Sequence, residues 1–88
     1  MKTSKQLERY FKGSANHRRI DILRLIDKED AITMDQIAET LVCNPKTISM
    51  HTARLINAGL ITKKYEGASV HHSLFPFGKK FINFFKTF

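Results

Sequence analysis

The chain has 88 residues, 42% of them apolar, and contains a single cysteine. A chain of this length builds at most one domain, and without disulfides it buries only a limited core. It has no apolar run long enough to span a membrane, and charged and apolar residues alternate over 1–12, unlike the continuous apolar stretch of a signal peptide. We therefore expect a cytoplasmic protein that has no membrane partner.

The net charge of +7 is concentrated in one half of the sequence. Residues 1–40 hold eight Lys or Arg against seven Asp or Glu, whereas residues 41–88 hold seven Lys or Arg and one acid, Glu66. A positive field of this kind predicts a polyanionic partner such as nucleic acid. Charge alone leaves open a basic surface that only aids solubility.

The first predicted helix covers 3–12. Its apolar residues Leu7, Tyr10 and Phe11 fall at i, i+3 and i+4, which is the spacing of one helical face. The Gly-Ser pair at 13–14 is expected to end this helix.

The second predicted helix covers 15–28, with Ser14 as its expected cap. Its apolar residues surround more than half of its circumference, which is typical of a central helix covered on several sides. A third, short helix is predicted after Thr33, because Thr33 and Gln36 have the spacing of a capping box.

The fourth predicted helix begins at Asn44 and Pro45. Asn is a favoured N-cap, and Pro suits the first helical position because its missing N–H has no partner there. The helix runs to about Ala58, where Gly59 is expected to stop it.

A hairpin and a last helix complete the chain. Residues 60–65 and 69–75 are rich in β-branched and aromatic residues, and Glu66-Gly67-Ala68 between them predicts the turn. Pro76 begins the last helix, one side of which carries Phe77, Phe81, Phe84, Phe85 and Phe88.

The order of these elements predicts a helix-turn-helix followed by a β-hairpin wing. The helix over 44–57 has an apolar side for the core and an outer side nearly free of acids, as required of a helix that enters the major groove. The predicted fold class is mainly α, a winged helix-turn-helix of about five helices and a two-stranded wing. The 1–88 chain would be a single domain, with terminal helices at 1–12 and 76–88, the helix-turn-helix at 33–58 and the wing at 60–75.

Five segments in order resemble the ArsR-type winged helix-turn-helix regulators. They read RIDILRLI at 19–26, QIAETL at 36–41, TISMH at 47–51, AGLI at 58–61 and EGASVHH at 66–72. The resemblance implies a homodimeric transcriptional regulator, by analogy a repressor, whose partner is double-stranded DNA. It also implies a recognition helix over 44–57.

The DNA contacts that we expect combine this resemblance with the basic, polar character of the helix and wing. Phosphate contacts are assigned to the cations, and selectivity to the short polar side chains and the methionine of the helix. The expected residues are Asn44, Lys46, Thr47, Ser49, Met50, His51, Arg54, Lys63, Lys64 and Ser69.

The sequence departs from the family at several positions. The family usually has a basic residue where Met50 stands and often another at Ala53. It commonly has Gly at Val42 and Arg at Ala68. These departures leave the fold intact but alter base preference and affinity.

The aromatic side of the last helix and the apolar side of the first are expected to form a dimer interface. Together they offer more apolar surface than one small monomer needs, and such patches mark interfaces. The residues assigned to it are Leu7, Tyr10, Phe11, Phe81, Phe84, Phe85 and Phe88. A helix lying on a membrane surface, basic on one side and aromatic on the other, is the alternative.

No metal, cofactor or catalytic site is expected. The third helix lacks the cysteine pair of the metal-sensing family members, and the last helix has no His, Asp or Glu, so neither usual metal site can form. His71 and His72 are adjacent strand residues that point to opposite faces, and Cys43 is expected to pack in the interior rather than act as a redox sensor.

No arrangement of catalytic residues or phosphate-binding loop is present, which argues against an enzyme. Two alternatives to DNA binding remain open: a winged helix that binds other proteins and one that binds RNA. The sequence does not indicate whether a small molecule or a metal acts as an effector.

Overall fold

The computed structural model describes all residues, Met1–Phe88. Three antiparallel strands form a sheet in the order β1-β3-β2, and five helices surround it. The elements are α1 (Ser4–Ser14), α2 (His17–Lys28), β1 (Ile32–Thr33), α3 (Met34–Leu41), α4 (Pro45–Asn57), β2 (Ile61–Glu66), β3 (Ser69–Leu74) and α5 (Pro76–Phe85). The winged helix-turn-helix fold is confirmed. None of the helices combines the length and apolar character needed to cross a bilayer.

Local capping chemistry determines where α3 and α4 begin. The Thr33 hydroxyl accepts a hydrogen bond from the Gln36 amide (3.1 Å), and the Gln36 side-chain oxygen accepts one from the Thr33 amide (3.0 Å). At α4, the Asn44 side-chain oxygen caps the helix, and Pro45 occupies its first position. Gly59, with φ of +76°, follows the last turn of α4. These predicted helix ends are confirmed.

The prediction that Gly13 and Ser14 end the first helix is wrong, because α1 continues through both residues. A Cβ at Gly13 would overlap Ala58, so glycine here permits close contact between α1 and α4 rather than a helix stop. Ser14 does not cap α2. Its hydroxyl donates to the Phe11 carbonyl (3.1 Å), and Asn16 is the N-cap.

The short strand β1 was not predicted, so the sheet has three strands instead of two. Ile32 and Thr33 pair with His72 and His71 of β3. Two residues are too few to produce the alternation by which a strand is recognised, and this pairing joins segments far apart in the sequence. Glu66, predicted as part of the turn, is the last residue of β2.

The core forms around α2, which contacts the other four helices and β3. Its residues Ile22, Leu23 and Ile26 are buried, which confirms that it is the central helix. At the end of α2, Asp27 accepts a hydrogen bond from Lys79 of α5 (2.8 Å), and this bond lowers the pKa of Asp27. The buried apolar core comprises Ile22, Leu23, Ile26, Ile32, Ile37, Ala38, Ile48, Leu55, Ala58, Leu60, Ile61 and Ile82.

Candidate nucleic-acid interface

Helix α4 has two contrasting sides. Ile48 and Leu55 are fully buried, and Thr52 is 2% exposed, where α4 packs against α2, α3 and β2. The opposite side is open to solvent and carries cations but no carboxylate. Its exposed residues are Lys46, Ser49, Met50, Ala53, Arg54 and Asn57.

His51 does not lie on the exposed side of α4, and the prediction that it contacts DNA is wrong. Its side chain is 6% exposed because the residue lies three positions after Ile48 and four before Leu55, on the buried side. The His51 Nδ1 accepts a hydrogen bond from the Arg19 Nε (3.3 Å). Burial lowers the pKa of His51, and the positive charge of Arg19 acts in the same direction. The ring is therefore neutral at pH 7. The sequence could have predicted this burial, because His51 is spaced three and four positions from the apolar residues Ile48 and Leu55.

Arg19 is a positioning residue that sequence reasoning missed. Besides its bond to His51 of α4, its Nη1 donates to the carbonyls of Lys12 and Gly13 at the end of α1 (3.2 Å each). One guanidinium therefore joins α1 and α4 to α2. No local pattern indicates this role, because the partners lie on two other helices.

The turn before α4 contains a strained residue. Val42 adopts the left-handed conformation (φ 52°, ψ 50°) with 88% of its surface exposed. This conformation costs an L-residue about 1–2 kcal/mol, and β-branched residues are rare in it. Cys43 follows, half-buried and packed against the core. The backbone of the turn before α4 therefore favours glycine at position 42, but the chain has valine there.

In the wing, Lys63 and Lys64 are both exposed but point to opposite faces of the sheet. The Lys63 Nζ lies 5.4 Å from the centre of the Tyr65 ring, whereas the Lys64 Nζ lies 3.7 Å from a Glu66 carboxylate oxygen. Ser69, at the start of β3, is also exposed. The wing therefore presents one cation on each of its two faces.

The two wing histidines are separated as predicted. His71 Nδ1 lies 2.7 Å from the Ala31 carbonyl, to which it donates in the tautomer protonated there. His72 is 1% exposed, and neither of its ring nitrogens has a hydrogen-bond partner. Burial lowers the pKa of His72, opposed in part by the Ile32 backbone. No group of three or more His, Cys, Asp or Glu that could hold a metal ion lies together.

Five of the seven residues assigned to a dimer interface line one groove between α1 and α5: Leu7, Tyr10, Phe11, Phe81 and Phe84. Phe88 packs against Phe84 (ring centres 5.2 Å apart), whereas Phe85 lies beside Arg24 and Asp27, outside this groove. Phe11 contacts Phe81, with ring centres 5.2 Å apart, and the groove of about 240 Å³ runs alongside these rings. Leu7, Phe11 and Phe84 remain 40–52% exposed, and Phe88 remains 93% exposed. The other three residues are half-buried: Tyr10, Phe81 and Phe85. One apolar face thus stays open to solvent.

The model of the MarR family matches residues 15–65, which contain α2, the helix-turn-helix and most of β2. The chain belongs to the MarR family. This match reflects the winged helix-turn-helix that MarR proteins share with ArsR-type regulators, and the predicted ArsR-type resemblance is confirmed. This MarR-family chain is a transcriptional regulator of the ArsR/MarR type, a class that acts on DNA, and it is not an enzyme.

Solved structures of such regulators resemble this MarR-family chain closely. The transcriptional regulator HlyU from Vibrio vulnificus superimposes with a TM-score of 0.80 and 25% identity, over 96% of this chain and 88% of that one. The homodimeric DNA-binding domain Mb0332 from Mycobacterium bovis, a possible ArsR-family regulator, gives 0.75 and 28%, over 80% and 64%. The repressor PagR of Bacillus anthracis shares the fold (0.82, 20% identity, 92% and 93% covered). No curated protein sequence matches the chain.

Proposed function

We propose that the protein is a homodimeric repressor that binds a palindromic double-stranded DNA site. The observation that carries this proposal is the exposed side of α4, which has cations at Lys46 and Arg54 and no acid. In a two-fold symmetric dimer, the two copies of α4 enter half-sites about 34 Å apart, one helical turn of DNA. The whole chain acts as a single domain in this proposal, with its terminal helices forming the dimer.

The polar and charged side chains of α4 and the wing divide into two roles. Lys46, Arg54, Lys63 and Lys64 bind phosphates, which supplies most of the affinity and makes it dependent on salt. Thr47, Ser49 and Met50 face the base edges and supply selectivity, because phosphate contacts carry no sequence information. Asn44 and Ser69 lie at the ends of this surface. The Asn44 side-chain oxygen already caps α4, which leaves its amide group for DNA.

The open apolar face between α1 and α5 supports the dimer. Its residues Leu7, Phe11, Phe84 and Phe88 remain 40–93% exposed, and grouped apolar exposure of this kind marks interaction surfaces. A second copy of the chain covers this face through a self-complementary contact, as in most two-fold dimers. The homodimeric state of Mb0332, a protein of the same fold, agrees with this assignment.

Selection of bound sequences from a random DNA pool tests the function directly. We expect an enriched palindrome, and a pool without enrichment would contradict sequence-specific binding.

On the selected duplex, Lys46→Ala/Arg54→Ala should bind at least tenfold more weakly, because two phosphate contacts are lost. The control Arg24→Ala/Lys28→Ala removes two cations from a different part of the surface and should bind like the unchanged protein.

The dimer is tested by Phe84→Asp, which places a charge on the open apolar face. We expect sedimentation analysis to show a monomer that retains its helical circular dichroism and binds the palindrome far more weakly. A dimer that survives this change would contradict the assigned interface.

Repression is tested separately by transcription in vitro from a promoter that overlaps the selected site. Added protein should reduce the amount of transcript, and an increase would refute a repressor.

A further inference from the structure

A broad cleft of about 750 Å³ lies between α1 and the C-terminal half of α4. The cleft is strongly basic, although four of its five cations come from residues 1–40, the part of the sequence whose overall charge is nearly neutral. Glu8 is the only acid on its walls. Its cationic side chains are Lys5, Arg9, Lys12, Arg19 and Arg54.

Helix α1 supplies a row of three cations along one wall. Lys5, Arg9 and Lys12 fall at i, i+4 and i+7, so they share a face of the helix, and all three are exposed. Lys12 lies 3.7 Å from Glu8, whereas Lys5 and Arg9 form no ion pair. At 1.5 Å per residue, the row is about 10 Å long. Each strand of duplex DNA carries one negative charge per about 3.4 Å of the helix axis, so a row of this length spans about three phosphates of one strand.

The row is fixed relative to the recognition helix. Arg19 joins the end of α1 to His51 of α4, and the close contact of Gly13 with Ala58 leaves no space for α1 to shift inward. Arg54 lies both on the exposed side of α4 and on the cleft wall. The cleft and the exposed side of α4 therefore form one continuous positive surface.

We propose that this cleft binds the sugar-phosphate backbone of the same duplex that α4 reads. This inference rests on the proposed function and extends the DNA interface to α1, a helix assigned until now only to the dimer. An extended polyanion fits better than a single small anion, because the cations stand in a solvent-exposed row instead of converging on one point. Arg19 acts as a positioning residue, and Lys5 and Arg9 contact phosphates.

The test measures the affinity for duplex DNA of Lys5→Gln/Arg9→Gln over a range of salt concentrations. We expect affinity to fall on the order of tenfold at about 0.15 M salt, and the slope of log K against log salt to become shallower by about 2. The loss should be equal on the selected site and on a random duplex, because backbone contacts do not read sequence. The control Arg24→Gln/Lys28→Gln removes the same amount of charge from the C-terminal half of α2, outside the cleft, and should change neither quantity.

The outcomes separate this inference from the proposed function. If the unchanged protein binds no duplex, the proposed function fails. If it binds and the Lys5/Arg9 variant keeps its affinity and salt slope, only the cleft assignment is overturned. A loss confined to the selected site would also overturn it, because that pattern indicates base recognition. Arg9→Lys keeps the charge, so restored binding in Lys5→Gln/Arg9→Lys relative to the double Gln variant would support an electrostatic contact, and no restoration would refute one.

Discussion

Helices α1 and α4 both present cations to solvent, but they differ in what happens to their apolar sides. In α4, Ile48 and Leu55 are fully buried by the chain itself. In α1, the buried residues are Gly13 and Ser14, whereas Leu7 and Phe11 remain 40% and 52% exposed. The apolar side of α4 is therefore fully covered within a single chain, and that of α1 is not.

This difference separates two kinds of stability. Hydrophobic burial fixes α4 in place whatever the protein concentration, since each fully buried aliphatic side chain contributes about 1.5–3 kcal/mol. The open side of α1 gains comparable burial only when another molecule covers it, so its contribution depends on association. The orientation of α4 is thus a property of the fold, whereas in the proposed dimer the arrangement of two copies of α4 on DNA would depend on α1 and α5.

The largest expected effect comes from the same substitution made on both helices. Leu55→Ala should lower the free energy of unfolding by about 2–5 kcal/mol, because it removes fully buried atoms and leaves a cavity. Leu7→Ala should change it by no more than about 0.5 kcal/mol in dilute solution, where its side chain is already partly hydrated, but should weaken dimer formation. Urea unfolding and sedimentation measure the two quantities. Equal losses of stability would abolish the distinction between the helices.

The junction of the two helices is tested by Gly13→Ala. The added methyl group overlaps Ala58, so we expect a loss of about 1–3 kcal/mol in the free energy of unfolding, as for other overpacked sites. Combining it with Ala58→Gly removes the competing methyl group and should recover part of this loss, a coupling that urea unfolding of the double variant measures. Additive losses would show that the two residues are not in close contact.

A third test uses pH, through the buried histidine of α4. Because burial and the charges of Arg19, His17 and Arg18 lower the pKa of His51, the unfolded chain binds the proton more readily than the folded one. The contribution of neutral His51 to the free energy of unfolding is fully present above about pH 6.5, the ordinary pKa of histidine in an unfolded chain. This contribution is lost as the pH falls through the lower pKa of the folded protein. His51→Gln keeps a hydrogen-bond acceptor for Arg19 but does not titrate. Between pH 7.5 and 5, we expect its free energy of unfolding to fall less than that of the unchanged protein. Parallel pH profiles would rule out His51 as a source of the dependence.

The smallest expected effect is a gain in stability at the turn before α4. Val42→Gly relieves a left-handed conformation that costs about 1–2 kcal/mol, but glycine also gains entropy in the unfolded chain. The net expectation is a gain of less than about 1 kcal/mol, measured as a rise in the urea midpoint with unchanged slope. Val42→Ala removes the β-branch but keeps a Cβ, and it should gain less than glycine. A loss of stability in Val42→Gly would show that the side chain outweighs the strain.

The sequence was most informative where local chemistry determines the structure. The capping box of Thr33, the Asn44-Pro45 start and the Gly59 stop lie within a few residues of the helix ends that they define. The features that it missed depend on distant partners: β1 exists because of β3, and Gly13 is required by Ala58. The burial of His51 was accessible from its spacing relative to Ile48 and Leu55, but its polar character favoured a surface position.

The basic cleft was missed for a related reason. Counting charge along the sequence separated residues 1–40 from residues 41–88 and assigned the positive field to the second part. Folding instead brings Lys5 and Arg9 beside Arg54, while acids such as Asp27 are engaged elsewhere, in this case with Lys79. Electrostatic surfaces depend on which residues become neighbours in space, and net charge per segment does not report this.

The position of β2 at the edge of the sheet has a consequence for solubility. In the order β1-β3-β2, the outer backbone groups of β2 have no neighbouring strand and could pair with the same strand of another molecule. Consecutive charged residues on such a strand oppose this aggregation, because pairing would bring like charges together. Lys63 and Lys64 therefore serve the free protein as well as the proposed complex, and replacing both with apolar residues should promote self-association into aggregates.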